Sequence, residues 1–244
     1  MTLEFLSKCI SEPEKTGLKR VHKKRCREKR PFVIGVTGAI GSGKTTVSRL
    51  IAGKGGLLID ADEVVHDLLE KDRAVCRKLI ENFGNNIKDR EGKIDRKKLS
   101  ARAFSSDSGA KRLEDIIHPE AIKRILKSME KAGGKKGPEH IVIDAPLLIE
   151  SGVHVLADFV VVVKSGYGKR MERIRKRESG ISQKEAARRS RYQLSGASKE
   201  RYADYIVNNS NDIRNTKKEV TKAIKDMRKI WLKGQASQGD ARRR

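Results

Sequence analysis

Cysteine and aromatic residues are scarce in this sequence. Cysteine occurs three times in 244 residues, as Cys9, Cys26 and Cys76, and no two of them have CxxC spacing. An odd number of widely separated cysteines argues against a disulfide framework and a zinc site, and favours a reducing compartment. Aromatic residues make up only 4% of the chain, so it has no obvious platform on which nucleic-acid bases would stack.

Long apolar runs are missing as well. No run approaches the length that a helix needs to cross a bilayer. The N-terminal segment begins with a brief apolar stretch, but Glu4, Lys8 and Glu12 interrupt it and its basic cluster comes after the apolar part. This order is unlike a secretory signal, and the acidic residues are unlike a transit peptide. We therefore expect a cytoplasmic protein with no membrane partner.

Acidic residues are few relative to basic ones. The chain has 56 Lys and Arg against 32 Asp and Glu, a net charge of +24. Most of this charge lies in residues 1–30, 164–191 and 214–244, which carry about +6, +8 and +8. Nucleic acids and polyphosphorylated small molecules both attract such residues. Because no RRM, zinc-finger or helix-turn-helix signature is present, we do not expect nucleic acid to be the main partner.

Short apolar runs alternate with helical patterns along most of the chain. The first run contains Val33, Ile34 and Val36, and it leads through a glycine-rich loop into a helix that ends at Gly53. Alternating strands and helices predict an α/β fold with a parallel sheet covered on both faces. The other predicted strands are 57–59, 141–143, 159–163 and 205–207.

The longest gap between predicted strands, 61–140, is too long for a simple crossover and predicts an inserted helical lobe. One of its helices ends at a C-cap signal, Gly84, and another begins with Pro119 in its first turn and stops at a glycine pair. A later basic segment, broken near Gly180, predicts a mobile helical arm. The C-terminal tail has low complexity and is predicted to be disordered.

The glycine-rich loop matches the phosphate-binding pattern GxxxxGK[ST] as GAIGSGKT. Its glycines allow successive backbone N–H groups to converge on phosphates, and the helix N-terminus adds its positive dipole end. Lys44 is then placed to reach the β- and γ-phosphates, and Thr45 to ligate Mg²⁺. The loop therefore predicts a nucleoside-triphosphate site formed by Gly38, Gly41, Ser42, Gly43, Lys44, Thr45 and Thr46.

Two carboxylates follow the second predicted strand. Asp60 and Asp62 come where strand ends and ligands meet in a doubly wound sheet. A kinase needs a carboxylate there to accept the proton of the acceptor hydroxyl. Helix N-capping explains either residue equally well, with Glu63 favourable to the helix dipole in the first turn. The residues alone leave both roles open for each aspartate.

Several motifs together carry a resemblance to one family. GVTGAIGSGKTTV, IDADEVVH, IIHPEAI, IDAPLLIESG and RRSRYQLS…ADYIVNN occur in the order and spacing of dephospho-coenzyme A kinases, from about residue 33 to 210. The resemblance implies transfer of the γ-phosphate of ATP to the 3′-hydroxyl of dephospho-coenzyme A, with Mg²⁺. It also implies a P-loop kinase-like fold with a five-stranded parallel sheet, a substrate lobe at about 64–135 and a lid at about 166–192, within a domain spanning 32–232.

The resemblance also assigns roles to individual residues. Asp62 becomes the catalytic base, Asp60 becomes structural support, and Glu63 and Asp67 become ordinary helix surface. In the lid, Arg189 is implied to act on the γ-phosphate in the transition state. The remaining implied roles are substrate contacts by His118, Arg173 and Arg177, and a magnesium-bound water or a turn cap for Asp144. A His118 that merely ends a loop, and lid arginines that form only a solvated face, remain alternatives.

Some features depart from the family pattern or lie outside it. Arg170 stands where the family usually has Gln. Ser210 and Asn211 replace the family's usual Ser-Gly or Asn-Gly, so the resemblance gives little support for an adenine contact by Asn209 and its neighbours. The basic extension at 1–31 and the tail at 233–244 have no counterpart in the resemblance. Another small-molecule kinase and a nucleic-acid-associated NTPase remain rival interpretations. We expect a monomer or a weak oligomer.

Overall fold

The computed structural model describes residues 30–53, 55–133, 137–176 and 193–240, with side chains up to residue 235. The chain divides into two compact units. The first, called the sheet unit below, is Met1–Ile59 together with Ala132–Arg244, and the second, called the helical unit, is Asp60–Lys131. The sequence had placed the inserted lobe at about 64–135.

A five-stranded parallel sheet forms the centre of the sheet unit, as the sequence predicted. The strands pair in the order β2-β3-β1-β4-β5. Because β1 lies between β3 and β4, residues near the ends of β1 and β3 are neighbours, and Val36 pairs with Asp144. The strands are β1 Phe32–Gly38, β2 Gly56–Asp60, β3 His140–Asp144, β4 Phe159–Lys164 and β5 Tyr205–Asn208.

Helices follow the strands in the sheet unit and make up most of the helical unit. Two single-turn 3₁₀ helices, Asn85–Ile87 and Val153–Leu156, complete the described elements. The α-helices are α1 Lys44–Ala52, α2 Ala61–Lys71, α3 Arg73–Phe83, α4 Arg96–Ala103, α5 Asp107–Ala132, α6 Tyr167–Lys176, α7 Gly196–Glu200 and α8 Ile213–Asp240.

The core of the sheet unit consists largely of β-branched side chains. Every residue of β1 and β3 is buried, as is β4 up to Val163. Such runs are typical of parallel strands that have both faces covered. The apolar faces of α1 and α8 pack on the sheet, with Ile51 and Met227 among the residues they contribute. This packing fixes the start of α1, and so the glycine-rich loop before it.

The helical unit has its own core and locally encoded helix starts. Asp60, Asp72 and Asp95 are the N-caps of α2, α3 and α4, and each accepts hydrogen bonds from two backbone N–H groups of the following turn. Such caps satisfy N–H groups that would otherwise lack partners. The core comprises buried side chains from all four helices, including Leu68, Leu79, Leu99, Ile117 and Ala121.

One predicted helix start was wrong. Instead of beginning at Pro119, α5 runs from Asp107 to Ala132 with Pro119 in its interior. An interior proline removes a backbone hydrogen bond and costs about 3 kcal/mol. Ile117 and Ala121 are buried in the core of the helical unit, whereas Pro119 is exposed. We attribute the continuous helix to the packing of these flanking residues, which outweighs the local cost.

The tail prediction was also wrong in part. Residues 233–240, predicted to be disordered, continue α8 to Asp240. Adding a residue to an existing helix requires no new nucleation, and residues 233–240 contain no proline that would stop the helix. Residues 241–244 lie outside the described residues.

Arg30 is attached to the sheet unit, although the sequence assigned it to the basic extension. Its guanidinium makes two hydrogen bonds to the carboxylate of Asp158, at 2.9 and 2.8 Å, and lies 4.6 Å from the ring centre of Trp231. The same carboxylate accepts the backbone N–H of Val33 at 2.8 Å. Arg30 therefore belongs with the start of β1. The extension before it, 1–29, lies outside the described residues.

Candidate active site

The glycine-rich loop has the backbone conformation that its sequence requires. Gly41 and Gly43 have φ angles of +79° and +84°, in the region that favours glycine. Gly43 is also the N-cap of α1, and no side chain caps that helix end. The N–H groups at the start of α1 are therefore available to an anion, which the helix dipole also favours.

Side chains from distant parts of the chain hold the loop in place. The carbonyl oxygen of Ser42 accepts hydrogen bonds from Arg173 Nη1 and from Asn209 Nδ2, both at 2.9 Å. The carbonyl oxygen of Ile40 accepts from Arg170 Nε at 3.1 Å. Because these carbonyl groups bond outward to side chains, they do not compete for the concave side of the loop.

The packing around Gly43 excludes any larger residue. A Cβ atom there would lie 2.1 Å from Nδ2 of Asn209. Asn209 is itself buried and held by the hydroxyl of Thr216, which donates to its Oδ1 at 3.1 Å. Its carbonyl oxygen accepts from Arg173 Nη2 at 2.7 Å. Gly43 therefore permits both the positive φ angle and the close approach of this support.

Lys44 and Asp144 form an ion pair at the ends of β1 and β3. Nζ of Lys44 contacts Oδ1 of Asp144, a fully buried residue at the end of β3. The other oxygen, Oδ2, and the buried hydroxyl of Ser42 lack hydrogen-bond partners among the described residues. Buried polar atoms are normally paired, so unpaired ones at a phosphate-type loop indicate a place for a polar ligand.

The residues available for Mg²⁺ suit a metal ion that is bound partly by the protein and partly by the phosphates of the nucleotide. Thr45 is half-buried in the first turn of α1 and Thr46 beside it is exposed. Within 30–53, 55–133, 137–176 and 193–235, no group of three or more His, Cys, Asp or Glu is placed to hold a metal ion. Mg²⁺ usually keeps several waters and binds through one or two protein ligands plus substrate phosphates. Thr45 and the unpaired oxygen of Asp144 meet that requirement.

In the helical unit, the structure separates the two aspartates that the sequence could not. Oδ1 of Asp60 accepts the N–H groups of Asp62 and Glu63, at 2.9 and 3.3 Å, so Asp60 is the N-cap of α2. Asp62 lies in the first turn of that helix with its side chain exposed. Asp67 forms an ion pair with Lys71, which lowers the pKa of its carboxyl group. The role of Asp62 as a base stays a prediction.

His118 lies in the middle of α5 and is half-buried. It does not end a loop, because the helix continues through it. Burial lowers the pKa of His118, an effect that the nearby Asp115 opposes, and the neutral ring is therefore the main form at pH 7. Its contact with substrate stays a prediction.

The predicted lid residues are only partly within the described structure. Arg173 lies on α6, and its four hydrogen bonds to described residues go to the loop and its surroundings, namely to Gly41, Ser42, Ser165 and Asn209. A contact between Arg173 and substrate stays a prediction. Arg177 and Arg189 lie outside the described residues.

Sequence reasoning missed a buried ion pair next to the loop. Lys199 on α7 is fully buried, and its Nζ lies 3.0 Å from the carboxylate of Glu150, a residue to which the sequence gave no role. Burial lowers the pKa of Lys199, and the contact with Glu150 opposes that effect. The sequence signal was weak, because Lys199 stands in a polar stretch that resembles helix surface.

The sheet order, the glycine-rich loop and the lysine that opens α1 define the sheet unit as the nucleotide-binding part of a P-loop kinase. A family model described as dephospho-CoA kinase matches residues 32–215. Dephospho-CoA kinases of Fusobacterium nucleatum and Aquifex aeolicus are 37% and 34% identical, over 78% and 80% of this chain and 95% and 96% of their own lengths. The chain belongs to the dephospho-CoA kinase family.

Solved structures agree with this assignment. A Thermus thermophilus protein superposes with a TM-score of 0.70 at 26% identity, covering 81% of this chain and 98% of its own. A dephospho-CoA kinase from Campylobacter jejuni gives a TM-score of 0.59 at 28% identity, covering 81% and 97%. In the described part of the chain, no helix is both long and apolar enough to cross a membrane.

Proposed function

We propose that this protein transfers the γ-phosphoryl group of ATP to the 3′-hydroxyl of the ribose of dephospho-coenzyme A, giving coenzyme A and ADP. The family match over 32–215 carries the proposal, since it includes the loop, the helical unit and the predicted lid. The alternative is that the protein phosphorylates a different small molecule. In that case the residues that match the family's substrate-binding positions would have to bind that molecule instead.

The loop and its surroundings would bind ATP. Backbone N–H groups of the loop and of the first turn of α1 would contact the phosphates, and Lys44 would leave Asp144 to contact them as well. Thr45 and Asp144 would hold Mg²⁺, which supplies neutralisation of the charge on the phosphate oxygens. Arg170 and Arg173 act on the loop through its carbonyl groups, so they fix the direction of its N–H groups.

Asp62 would accept the proton of the acceptor hydroxyl. General-base catalysis of this kind contributes two to four orders of magnitude in rate. Phosphoryl transfer otherwise depends on positioning and on stabilising charge, a role that we assign to Lys44 and Arg189. His118, Arg173 and Arg177 complete the proposed substrate contacts.

An acceptor panel tests the proposed reaction. Purified protein with ATP and Mg²⁺ is offered dephospho-coenzyme A, nucleoside monophosphates, uridine and shikimate in a coupled ADP assay. Dephospho-coenzyme A is expected to be used far better than the others, and phosphorus NMR should locate the new phosphate on the 3′-oxygen. Folded protein that does not turn over dephospho-coenzyme A would refute the proposal.

We also propose a cytoplasmic protein that is a monomer or a weak oligomer. The few cysteines support a reducing compartment, and Cys76 is half-buried with its thiol donating to the carbonyl oxygen of Leu69 at 3.1 Å. Burial raises the pKa of this thiol, which keeps it protonated and unreactive. Light scattering across a concentration series is expected to give the monomer mass at low concentration.

A further inference from the structure

The proposed reaction assigns no role to Lys199, yet this residue is fully buried next to the proposed phosphate site. Its Nζ donates to Oγ1 of Thr37 at 3.2 Å, to the carbonyl oxygen of Pro146, and to Glu150, whose nearer oxygen is 3.0 Å away. An ammonium group has three N–H donors, and each has an acceptor here. The cost of burying the charge is therefore offset by a complete set of bonds.

The acceptors of Lys199 lie at the two strand ends that form the phosphate site. Thr37 immediately precedes Gly38, where β1 ends and the glycine-rich loop starts. Pro146 follows Asp144 by two residues, and its carbonyl oxygen also accepts from the Thr37 hydroxyl at 3.1 Å. Lys199 thus joins the start of the loop to the segment that carries the partner of Lys44.

Glu150 extends the same connection. Its Oε1 accepts the backbone N–H of Leu194 at 2.7 Å, five residues before Lys199. The ion pair therefore holds the segment leading into α7 against the chain that follows β3. Buried ion pairs stabilise a fold little compared with apolar side chains of similar volume, so stability alone is a weak reason for this one.

We propose that Lys199 is a positioning residue for phosphoryl transfer. Together with Thr37 and Glu150 it fixes the spacing between the glycine-rich loop and Asp144, and hence the position of Lys44. This inference rests on the proposed function. A displacement of about 1 Å in a reacting group can reduce a rate about a hundredfold, so loss of the ammonium should be visible in turnover.

The main test compares Lys199→Met with Lys199→Arg. We expect Lys199→Met to lower kcat by about 10- to 100-fold while KM for ATP and for dephospho-coenzyme A changes less than about threefold, because positioning acts mainly in the transition state. Lys199→Arg keeps the charge and should recover part of kcat. Lys164→Met is the matched control, since Lys164 makes an exposed pair with Glu200 at 3.1 Å, and wild-type kinetics are expected for it.

A second pair of variants, at Thr37, removes no charge and tests the same inference if Lys199→Met does not fold. Thr37→Val deletes one acceptor of Lys199. We expect it to lower kcat about tenfold, which corresponds to a displacement of the reacting groups by a fraction of an ångström. Thr37→Ser keeps the hydroxyl and should retain most of the activity. Folded Lys199→Met or Thr37→Val enzyme with the kcat of the wild type would overturn the inference.

Hydrogen exchange separates this inference from the proposed reaction. The N–H of Ala145 donates to the carbonyl oxygen of Val36 at 3.1 Å, across the two strand ends that Lys199 joins. Peptides containing Ala145 should exchange faster in Lys199→Met than in Lys164→Met. If the wild type does not use dephospho-coenzyme A, the proposed function fails, whereas unchanged exchange in Lys199→Met would overturn the positioning role itself.

Discussion

The glycine-rich loop and the first turn of α2 are held in place by different means. Ser42 in the loop is bonded by Arg173 and Asn209, which are 131 and 167 residues away in the chain. The first turn of α2 is bonded by Asp60, which precedes it directly. Loop geometry thus depends on the assembled sheet unit, whereas the turn that carries Asp62 is encoded locally. Variants that disturb the support of the loop and variants that disturb the cap of α2 should therefore change different measured properties.

The largest effect is expected from Asp62→Asn. Removing the proposed base should reduce kcat at least about a hundredfold, while ATP affinity barely changes because the loop is untouched. Single-turnover assays and nucleotide binding by calorimetry measure the two quantities. Glu63→Gln, in the same helical turn, is the control and should retain activity. Equal losses of turnover and ATP affinity in Asp62→Asn would argue for a structural role instead.

Loss of the distant support of the loop should appear in nucleotide binding. Asn209→Ala removes the bond to Ser42 and leaves Thr216 without its acceptor, which we expect to weaken ATP binding about tenfold, equivalent to about 1.4 kcal/mol. The neighbouring Asn208 is exposed and its side chain accepts only a local N–H, that of Ser210, among the bonds described for it. Asn208→Ala should therefore bind ATP normally. Equal affinities of the two variants would contradict long-range support.

Loss of the local support should appear mainly in stability. Asp60→Ala deletes the N-cap of α2 and is expected to lower the free energy of unfolding by about 1 kcal/mol. Asp60→Asn keeps a capping oxygen and should be close to the wild type. Urea unfolding followed by circular dichroism gives both values, and ATP affinity should remain unchanged in each. Weaker ATP binding by Asp60→Ala would contradict the expectation that the cap of α2 affects stability and the loop affects nucleotide binding.

The smallest effect concerns acid pH. The N–H of Val75, together with the side chain of Arg124, lowers the pKa of Asp72, the cap of α3. A depressed carboxyl pKa contributes stability that is present above the unfolded value near 4 and is lost as pH falls through the folded value. Asp72→Asn keeps the cap without titrating, so its stability should depend less on pH below about 5. Unfolding free energies that fall equally with decreasing pH in the wild type and in Asp72→Asn would contradict this expectation.

Local patterns predicted most of the fold and part of the site. Runs such as FVVVV at 159–163 became β4 because branched residues suit strands covered on both faces, and Gly84 ended α3 as expected. The loop was also recognisable, since its glycines and Lys44 have spacing that few other structures require. Asp60 and Asp62 have equal capping preferences, and only the hydrogen bonds from the N–H groups of Asp62 and Glu63 identify Asp60 as the cap.

What the sequence could not supply depends on contacts between distant residues. Pro119 predicts a helix start because proline favours the first turn of a helix, yet the packing of Ile117 and Ala121 places it in the interior of α5. The support of the loop by Asn209 and the burial of Lys199 were not predicted, because nothing in the local sequence distinguishes a buried amide or ammonium from a solvated one. The Ser42 carbonyl group that Asn209 contacts and the Glu150 carboxylate that Lys199 contacts lie 167 and 49 residues away in the chain, so only the folded sheet unit brings these groups together.

The packing of Trp231 on Phe32 and Arg30 has a spectroscopic consequence. Trp231 is the single tryptophan, and the four tyrosines, like Trp231, all lie outside Asp60–Lys131. Indole and phenol emission therefore reports on the sheet unit alone, whereas far-ultraviolet circular dichroism sums the helices of both units. Comparing the two melting curves would show, without any label, whether the helical unit loses its structure before the phosphate-binding half of the molecule or together with it.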